Sequence, residues 1–203
     1  MRVHTYVIAV DAGSAPNYDP PCTTLAVCKP RIRRKAQPGE LVLAFAGQSV
    51  NPHEPHTVVW AGIVAEKFTF ADYWNDTRFQ SKKPSRSLTP DNFYEPRADG
   101  SFRQIRNDIH GPDATEHDLN GRYVLALDPS WRFGPHGPPL PEHSGLRMTH
   151  GRRGERIHDL SDAEWHALER WLNDQETIAV STTSVTRRCR PTPIAASTTR
   201  RSC

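Results

Sequence analysis

Three short apolar runs within the first 64 residues constrain the fold of this chain more than any other feature. They are Val3–Val10, Leu41–Ala46 and Thr57–Val64, each of strand length and rich in aliphatic residues. Thr57–Val64 is apolar on both of its alternating faces, which is typical of a strand covered on two sides. Turn-forming residues separate the runs, so the pattern predicts one wall of a small curved β-sheet or closed barrel.

The rest of the chain predicts short elements joined by long loops. Eighteen prolines exclude many segments from the interior of strands or helices. Residues 75–121 carry little hydrophobic periodicity and are predicted to be a long loop. Short helices are predicted at Pro30–Ala36, Thr69–Trp74 and Asp162–Asn173, and a further strand at Arg122–Leu127. These elements predict an α+β domain.

The composition changes at about residue 178. The remaining segment is dominated by Ser, Thr, Arg and Pro, and it has five arginines but no acidic or aromatic residue. Subtracting these five charges from the total of +3 leaves −2 for residues 1–177, so the body of the chain is nearly neutral. We therefore predict one domain over residues 1–177 and a disordered basic tail over residues 178–203.

Targeting signals and cysteine spacing exclude several classes of protein. No apolar run approaches the roughly 20 residues that cross a bilayer, and no secretory leader opens the chain. We expect a cytoplasmic protein that has no membrane contact. Cys22 and Cys28 do not have the spacing of a zinc knuckle, and we expect two small, half-buried thiols. The sequence predicts neither a cofactor nor a resident metal.

Several motifs, taken in order, resemble one known family, the second type of nucleotide modification associated domain. The resemblance runs from about Met1 to Leu172. The residues that carry it are Asp11-x-Gly13-x-Ala15-Pro16-Asn17, Cys22-Thr23, Cys28-Lys29-Pro30-x-Ile32-Arg33, Gly39-Glu40, Tyr73-Trp74-Asn75-Asp76, Phe79 and Lys82-Lys83-Pro84. The family is associated with enzymes that modify bases in bacterial and phage DNA, which implies a role in handling modified nucleotides. Ser14 stands where the family pattern leads us to expect an aromatic residue.

A second resemblance concerns pattern only. The alternation in Pro38–Val42 and Trp60–Ala65 is similar to that of PUA-like domains, including the EVE and YTH types. Those domains are small β-barrels that hold a flipped, modified base in an aromatic-walled pocket, so this resemblance implies a PUA-like sheet or barrel here.

The first group of candidate binding residues lies at the mouth of the predicted barrel. A base pocket needs an aromatic wall and side chains that read the edge of the base, while cations hold the phosphate. The nucleotide-binding candidates are Tyr6, Asp11, Asn17, Thr23, Lys29 and Arg33. An alternative interpretation makes Asp11 and Asn17 caps of a turn and the cations a solvated basic face.

Two further groups extend this prediction. Trp74 belongs to a series of aromatic residues interleaved with Lys and Arg, which is typical of stacking platforms, although such rings also anchor loops. Arg152 and Arg153 lie between two glycines and are predicted to contact phosphate, with an exposed turn as the alternative.

A segment rich in His and Asp is the last candidate. It contains Asp108, His110, Asp113, His117 and Asp118, and it is predicted to be a polar loop. A metal site or a His–Asp general base is the functional alternative, but the sequence shows no nucleophile partnered with it.

Three functions remain open from the sequence. The leading prediction is a module that binds or handles modified nucleobases in DNA or nucleotides. The second is an enzyme acting on a modified nucleotide, either a glycosidic-bond hydrolase or a transferase, with Asp11 or a loop histidine in acid–base work. The third is a scaffold for DNA-modifying enzymes, which would then be its partners.

Overall fold

A central sheet of six strands organises the structure, a computed structural model that describes residues 1–54, 56–141, 144, 146 and 154–177. The strands are β1 (Arg2–Ile8), β2 (Thr23–Leu25), β3 (Leu41–Ala46), β4 (Val58–Thr69), β7 (Tyr123–Arg132) and β8 (Arg156–Asp159), and a separate hairpin pairs β5 (Tyr94–Pro96) with β6 (Phe102–Gln104). Their order in the main sheet is β2-β7-β4-β3-β1-β8. Only β1 and β3 are parallel; the other neighbours are antiparallel.

The sheet is open, and the expectation of a closed barrel is wrong for the described residues. The three-residue β2 forms one edge and β8, which pairs only with β1, forms the other. The α+β class is confirmed. Both faces of β4 are apolar because it lies in the middle of a sheet that is covered on both sides: Trp60 faces one core cluster and Ala61 faces another.

Within the described residues, four α-helices and two 3₁₀ helices cover the sheet. They are α1 (Pro30–Lys35), α2 (Phe70–Asn75), α3 (Thr115–Leu119) and α4 (Asp162–Asp174), with 3₁₀ helices at Thr77–Lys82 and Pro112–Ala114. The helix α4 begins with the capping box predicted by its sequence, in which Ser161 and Glu164 exchange hydrogen bonds. None of the helices in the described ranges is long and apolar enough to pass through a bilayer.

Three clusters of buried side chains form the core. Ile32 of α1 packs with Tyr6 and Trp60 on one face of the sheet, and Trp165 of α4 packs with Val3 on the other. A third cluster gathers Tyr73, Phe93 and Val124 around α2 and the β5–β6 hairpin.

The segment 75–121 contains structure that its lack of periodicity did not reveal. The first 3₁₀ helix, the hairpin, the second 3₁₀ helix and α3 all lie within it. Phe79 and Phe93 are fully buried and attach this segment to the end of the sheet. The segment is therefore ordered through contacts with β7 and α2, which local sequence patterns do not show.

Candidate active site

Cys28 occupies a strained turn immediately before α1. Its φ of 56° and the φ of 40° at Lys29 both lie in the left-handed region, which costs non-glycine residues on the order of 1 kcal/mol each. Its backbone is held on both sides: Asp118 Oδ1 accepts a hydrogen bond from the Cys28 N–H at 2.7 Å, and Arg33 Nε donates to the Cys28 carbonyl at 2.7 Å. The thiol is free and half-buried, as expected. The same expectation is wrong for Cys22, which is disulfide-bonded.

His110 stands between this sulfur and a buried carboxylate. Its Nε2 lies 3.4 Å from Cys28 Sγ, and its Nδ1 lies 2.5 Å from Asp118 Oδ2. The side chain of Asn107 accepts a hydrogen bond from the His110 amide at 2.8 Å, and Gln104 donates to the His110 carbonyl at 2.9 Å. The hydrogen bond to Asp118, with a smaller effect from Cys28, raises the pKa of His110 to about 10.

Asp118 completes a chain of three side chains. It is fully buried on α3, and besides the two hydrogen bonds already described it accepts one from Tyr94 Oη at 2.8 Å. Burial alone would raise the pKa of this carboxyl, but hydrogen bonds from His110 and from the Cys28 backbone hold the pKa below its ordinary value. Asp118 is therefore a carboxylate that fixes the ring of His110 and favours its protonated form.

The contacts among these three side chains are those of a proton relay, and their spacing also fits a metal site. The ligand atoms of Cys28, His110 and Asp118 all lie within 4.8 Å of one another, and a thiolate, an imidazole and a carboxylate suit zinc chemically. However, the two ring nitrogens of His110 face different partners, and one ion contacts only one of them. To hold an ion, the three side chains would exchange the hydrogen bonds that His110 now makes for bonds to the metal. As arranged, the imidazole can pass a proton to and from the sulfur while Asp118 orients it.

Arg33, predicted to bind phosphate, is a buried structural cation. Its guanidinium donates to three backbone carbonyls, those of Cys28 at 2.7 Å, Tyr123 at 2.8 Å and Asp118 at 2.5 Å. Burial lowers the pKa of Arg33 to about 10. The side chain has no exposed surface and donates three hydrogen bonds to the backbone, so Arg33 supports the turn at Cys28, and its contact with phosphate stays a sequence prediction.

Tyr6 and Lys29 lie together beside Cys28. The Lys29 ammonium is 4.6 Å from the centroid of the Tyr6 ring, and its hydrogen bond to the Val7 carbonyl is long, at 3.5 Å. Burial lowers the pKa of Lys29. Tyr6 is buried, and its hydroxyl accepts a hydrogen bond from Trp60 Nε1 at 3.0 Å. Lys29 therefore remains available for an anionic ligand.

Asn17 and Thr23 are engaged in the fold. Asn17 is fully buried; its amide donates to the Thr89 carbonyl at 2.6 Å, and its Oδ1 accepts from Lys82 Nζ at 2.7 Å. The Thr23 hydroxyl lies 2.7 Å from the Ser130 hydroxyl. For Asn17 the structure supports the alternative in which this residue holds a turn. Asp11 differs, because its half-buried carboxylate accepts no hydrogen bond from the residues that the structure describes.

Trp74 lies away from this group, on α2. Its indole is partly exposed, and the Lys83 ammonium stands 3.6 Å above its ring. Arg152 and Arg153 fall outside the described residues, and so does the predicted tail over residues 178–203.

The fold and the site together define an α+β protein with a cysteine, a histidine and an aspartate aligned at the end of a mixed sheet. Residues 1–185 match the family model described as nucleotide modification associated domain 2, and the chain belongs to this family. The resemblance noted in the sequence is thereby confirmed. Comparison with curated proteins and with solved structures gives no match for this chain.

Sequence reasoning did not include Cys28 among the candidate site residues, although it singled out His110 and Asp118. The three residues are separated by as much as 90 positions, the interval between Cys28 and Asp118. One signal was available: a cysteine before Lys-Pro at the start of a short helix, in a chain that also carries a His–Asp segment.

Proposed function

We propose that this chain is an enzyme that uses Cys28 as a nucleophile on a modified nucleotide. The observation that carries the proposal is the alignment of Cys28 Sγ, the His110 ring and Asp118, with separations of 3.4 Å and 2.5 Å. Of the three sequence-based alternatives, this favours the enzyme, with His110 rather than Asp11 as the acid–base residue. Membership in a family associated with nucleotide modification supports the substrate class.

The proposed reaction is acyl transfer, in two steps. The thiol proton is held on His110, whose protonated form Asp118 favours, so the Cys28 sulfur attacks a carbonyl carbon of the substrate as a thiolate and forms the S–C bond. The C–N or C–O bond to the leaving group breaks, and the leaving amine or alcohol receives the proton from the imidazolium. Water, or an acceptor amine or hydroxyl, then gives its proton to His110 and attacks the same carbon. The S–C bond breaks, the sulfur leaves as a thiolate, and the pair of thiolate and protonated His110 is restored.

Acyl transfer fits this site better than glycosidic-bond cleavage. Glycosidases generally use two carboxyl groups that flank the bond. Here the aspartate of the relay, Asp118, is fully buried behind the histidine. A thiol partnered with a histidine instead suits an amide or ester carbon. The proposed substrate is therefore a nucleotide whose base carries an acyl, carbamoyl or ester group.

Binding of the nucleotide completes the proposal. Lys29, adjacent to Cys28, holds a phosphate, and Tyr6 forms the wall next to it. Trp74, with its exposed face, gives a further stacking position if the substrate is a strand of DNA. Phosphate contacts by Arg152 and Arg153, a cytoplasmic location, partnership with DNA-modifying enzymes and the domain boundary at residue 177 also stay proposals.

The decisive experiment is acid-quenched mass spectrometry of the intact protein after incubation with acylated and carbamoylated nucleotides. We expect a mass increase on Cys28 equal to the acyl group, together with release of the deacylated nucleotide. Cys28→Ala should abolish both signals, and His110→Ala should lower turnover by about 100-fold or more. His117→Ala removes an exposed histidine from α3 and is the matched control that should retain full turnover.

Two results would count against the proposal. Product release that survives Cys28→Ala excludes a cysteine nucleophile. Turnover that is lost on adding a chelator and restored by zinc, with no adduct on Cys28, shows that the three side chains bind a metal instead.

A further inference from the structure

An unpaired arginine lies at the end of β7. The Arg132 guanidinium carbon is 4.2 Å from the centroid of the Tyr18 ring, which it covers. Its Nε is buried and has no hydrogen-bond partner among the described residues, and no carboxylate of the described chain forms an ion pair with it. Structural arginines of this chain are used differently: Arg33 donates to three carbonyls and Arg78 binds both Glu66 and Asp76.

The tyrosine beneath this guanidinium is also unpaired. Tyr18 is only 6% exposed, and its hydroxyl makes no hydrogen bond within the described residues. Ser14, in the same loop and 2% exposed, has an unpaired hydroxyl as well. Buried polar groups are nearly always hydrogen-bonded in folded proteins, and leaving one unpaired destabilises the fold. Such groups close together indicate a place where a polar ligand supplies the missing partners.

Asp11 belongs to the same loop as Ser14 and Tyr18 and is half-buried, and its carboxylate accepts no hydrogen bond from the described residues. Burial raises the pKa of the Tyr18 phenol; the negative charge of Asp11 and the Tyr6 phenol raise it further, while Arg132 acts in the opposite direction. Asp11 is therefore near enough for its charge to act on the Tyr18 phenol, in the direction opposite to that of Arg132.

Tyr6 and Lys29 connect this group to Cys28. Tyr6 shares a buried cluster with Tyr18, and the Lys29 ammonium lies over the Tyr6 ring. Lys29 directly follows Cys28 in the chain. Tyr18 therefore lies on the same side of the sheet as Tyr6, beside which Lys29 and Cys28 are placed.

We infer that Asp11, Tyr18 and Arg132 form the subsite that binds the nucleobase of the substrate. Arg132 and the Tyr18 hydroxyl donate to ring-nitrogen or carbonyl acceptors on one edge of the base, and Asp11 accepts from an N–H on the same edge. The inference rests on the proposed function for its substrate class. It replaces Asn17 and Thr23, whose polar groups are engaged, and it retains Asp11 and Tyr6 from the sequence-predicted pocket.

The test measures binding apart from chemistry. In the Cys28→Ala background no nucleophile is left at this position, and NMR or calorimetric titration with dGMP, dCMP, dAMP, dTMP and N4-acetyl-dCMP reports affinity alone. We expect binding of at least one of them with Kd in the millimolar range or below. Arg132→Gln, Tyr18→Phe and Asp11→Asn should each weaken that binding about tenfold. Arg122→Gln changes an exposed arginine just before β7 and is the matched control that should bind normally.

A stability measurement separates a ligand site from a structural role. Tyr18→Phe removes only the unpaired hydroxyl, so without ligand the midpoint of urea unfolding should stay the same or increase. A lower midpoint for Tyr18→Phe would show that the hydroxyl has a structural partner, which contradicts the inference.

The outcomes for the two proposals are independent. If none of the five nucleotides binds, or if binding is unchanged in all three variants, the subsite is wrong even when Cys28 forms an acyl adduct. If nucleotides bind and the three substitutions weaken that binding, the subsite stands even when Cys28→Ala retains turnover.

Discussion

The carboxylate of Asp118 holds the backbone of Cys28: its Oδ1 accepts a hydrogen bond from the Cys28 N–H at 2.7 Å. Its other oxygen, Oδ2, lies 2.5 Å from His110 Nδ1. One buried side chain therefore positions the candidate nucleophile and its base together. Because Cys28 is in a left-handed conformation, this contact also compensates for local backbone strain.

Asp118→Asn is expected to damage stability and reactivity together. The amide nitrogen of asparagine would face a donor, either the Cys28 N–H or the His110 ring, and the imidazolium would lose its counter-charge. Loss of one partner of a buried, hydrogen-bonded charge pair costs about 3–5 kcal/mol. Urea unfolding should show this loss, and alkylation of Cys28 by iodoacetamide should slow.

Asp113→Asn is the matched control, since Asp113 is an exposed aspartate on the neighbouring 3₁₀ helix. It should change the free energy of unfolding by no more than about 0.5 kcal/mol. An equal loss in both variants would show that the segment, rather than the contacts of Asp118, is sensitive to substitution.

The His110–Asp118 pair should make stability depend on pH in a defined range. The pKa of His110 is about 10 in the folded protein against an ordinary value of 6.5, so the folded state binds the proton more tightly than the unfolded state. The resulting stabilisation is fully present below pH 6.5 and is lost as the pH rises through about 10. Comparison of Cys28→Ser with Cys28→Ser/His110→Gln by urea unfolding, from pH 6 upwards, measures it without a contribution from the thiol.

Comparing Cys28→Ser with Cys28→Ser/His110→Gln also removes the effect of other groups that titrate nearby. Lys82, for example, is fully buried, and burial lowers its pKa to about 8, but it is present in both proteins. The stability difference between the two should shrink as the pH rises. A difference that stays constant from pH 6 to pH 10 would mean that His110 is neutral in the folded protein, contrary to its pKa of about 10.

Much of the fold followed from local patterns in the sequence. The strand Leu41–Ala46 was predicted with its observed bounds, and the Ser161 capping box located the start of α4. The barrel was wrong because a strand that is apolar on both faces, such as β4, also fits the middle of an open sheet. Closure depends on whether β2 and β8 pair with each other, and local periodicity holds no information on this.

The site was only partly accessible from the sequence, for a different physical reason. The residue types alone identified the His–Asp segment as a candidate site. Whether Arg33 is a surface cation or a buried one depends instead on groups that are distant in the sequence. The carbonyls of Asp118 and Tyr123, which accept its hydrogen bonds, are 85 and 90 positions away. Cys28 is separated from His110 and Asp118 by a similar number of positions in the sequence, so their contacts became visible only in the tertiary structure.

Gly121→Ala should destabilise the protein because Gly121 leaves space for the Arg33 guanidinium. A Cβ at this position would lie 2.2 Å from Arg33 Cζ, and three hydrogen bonds prevent that guanidinium from moving. Overpacking of this kind costs about 1–3 kcal/mol, which urea unfolding would detect. Gly111→Ala is the control: its Cβ would approach only the exposed carboxylate of Asp113, so its stability should change little. Equal effects would contradict a fixed Arg33.

Substitutions of Lys29 and of Arg33 should have different effects on how binding to single-stranded DNA depends on salt concentration. Lys29 is partly exposed and has only one long hydrogen bond, so we propose that it contacts phosphate. Lys29→Gln should weaken binding and reduce the slope of log K against log salt by about 0.7. Arg33→Lys should lower stability, since one ammonium cannot replace three guanidinium contacts, but it should leave the slope unchanged. A slope reduced by Arg33→Lys, in protein that remains folded, would place Arg33 at the phosphate after all.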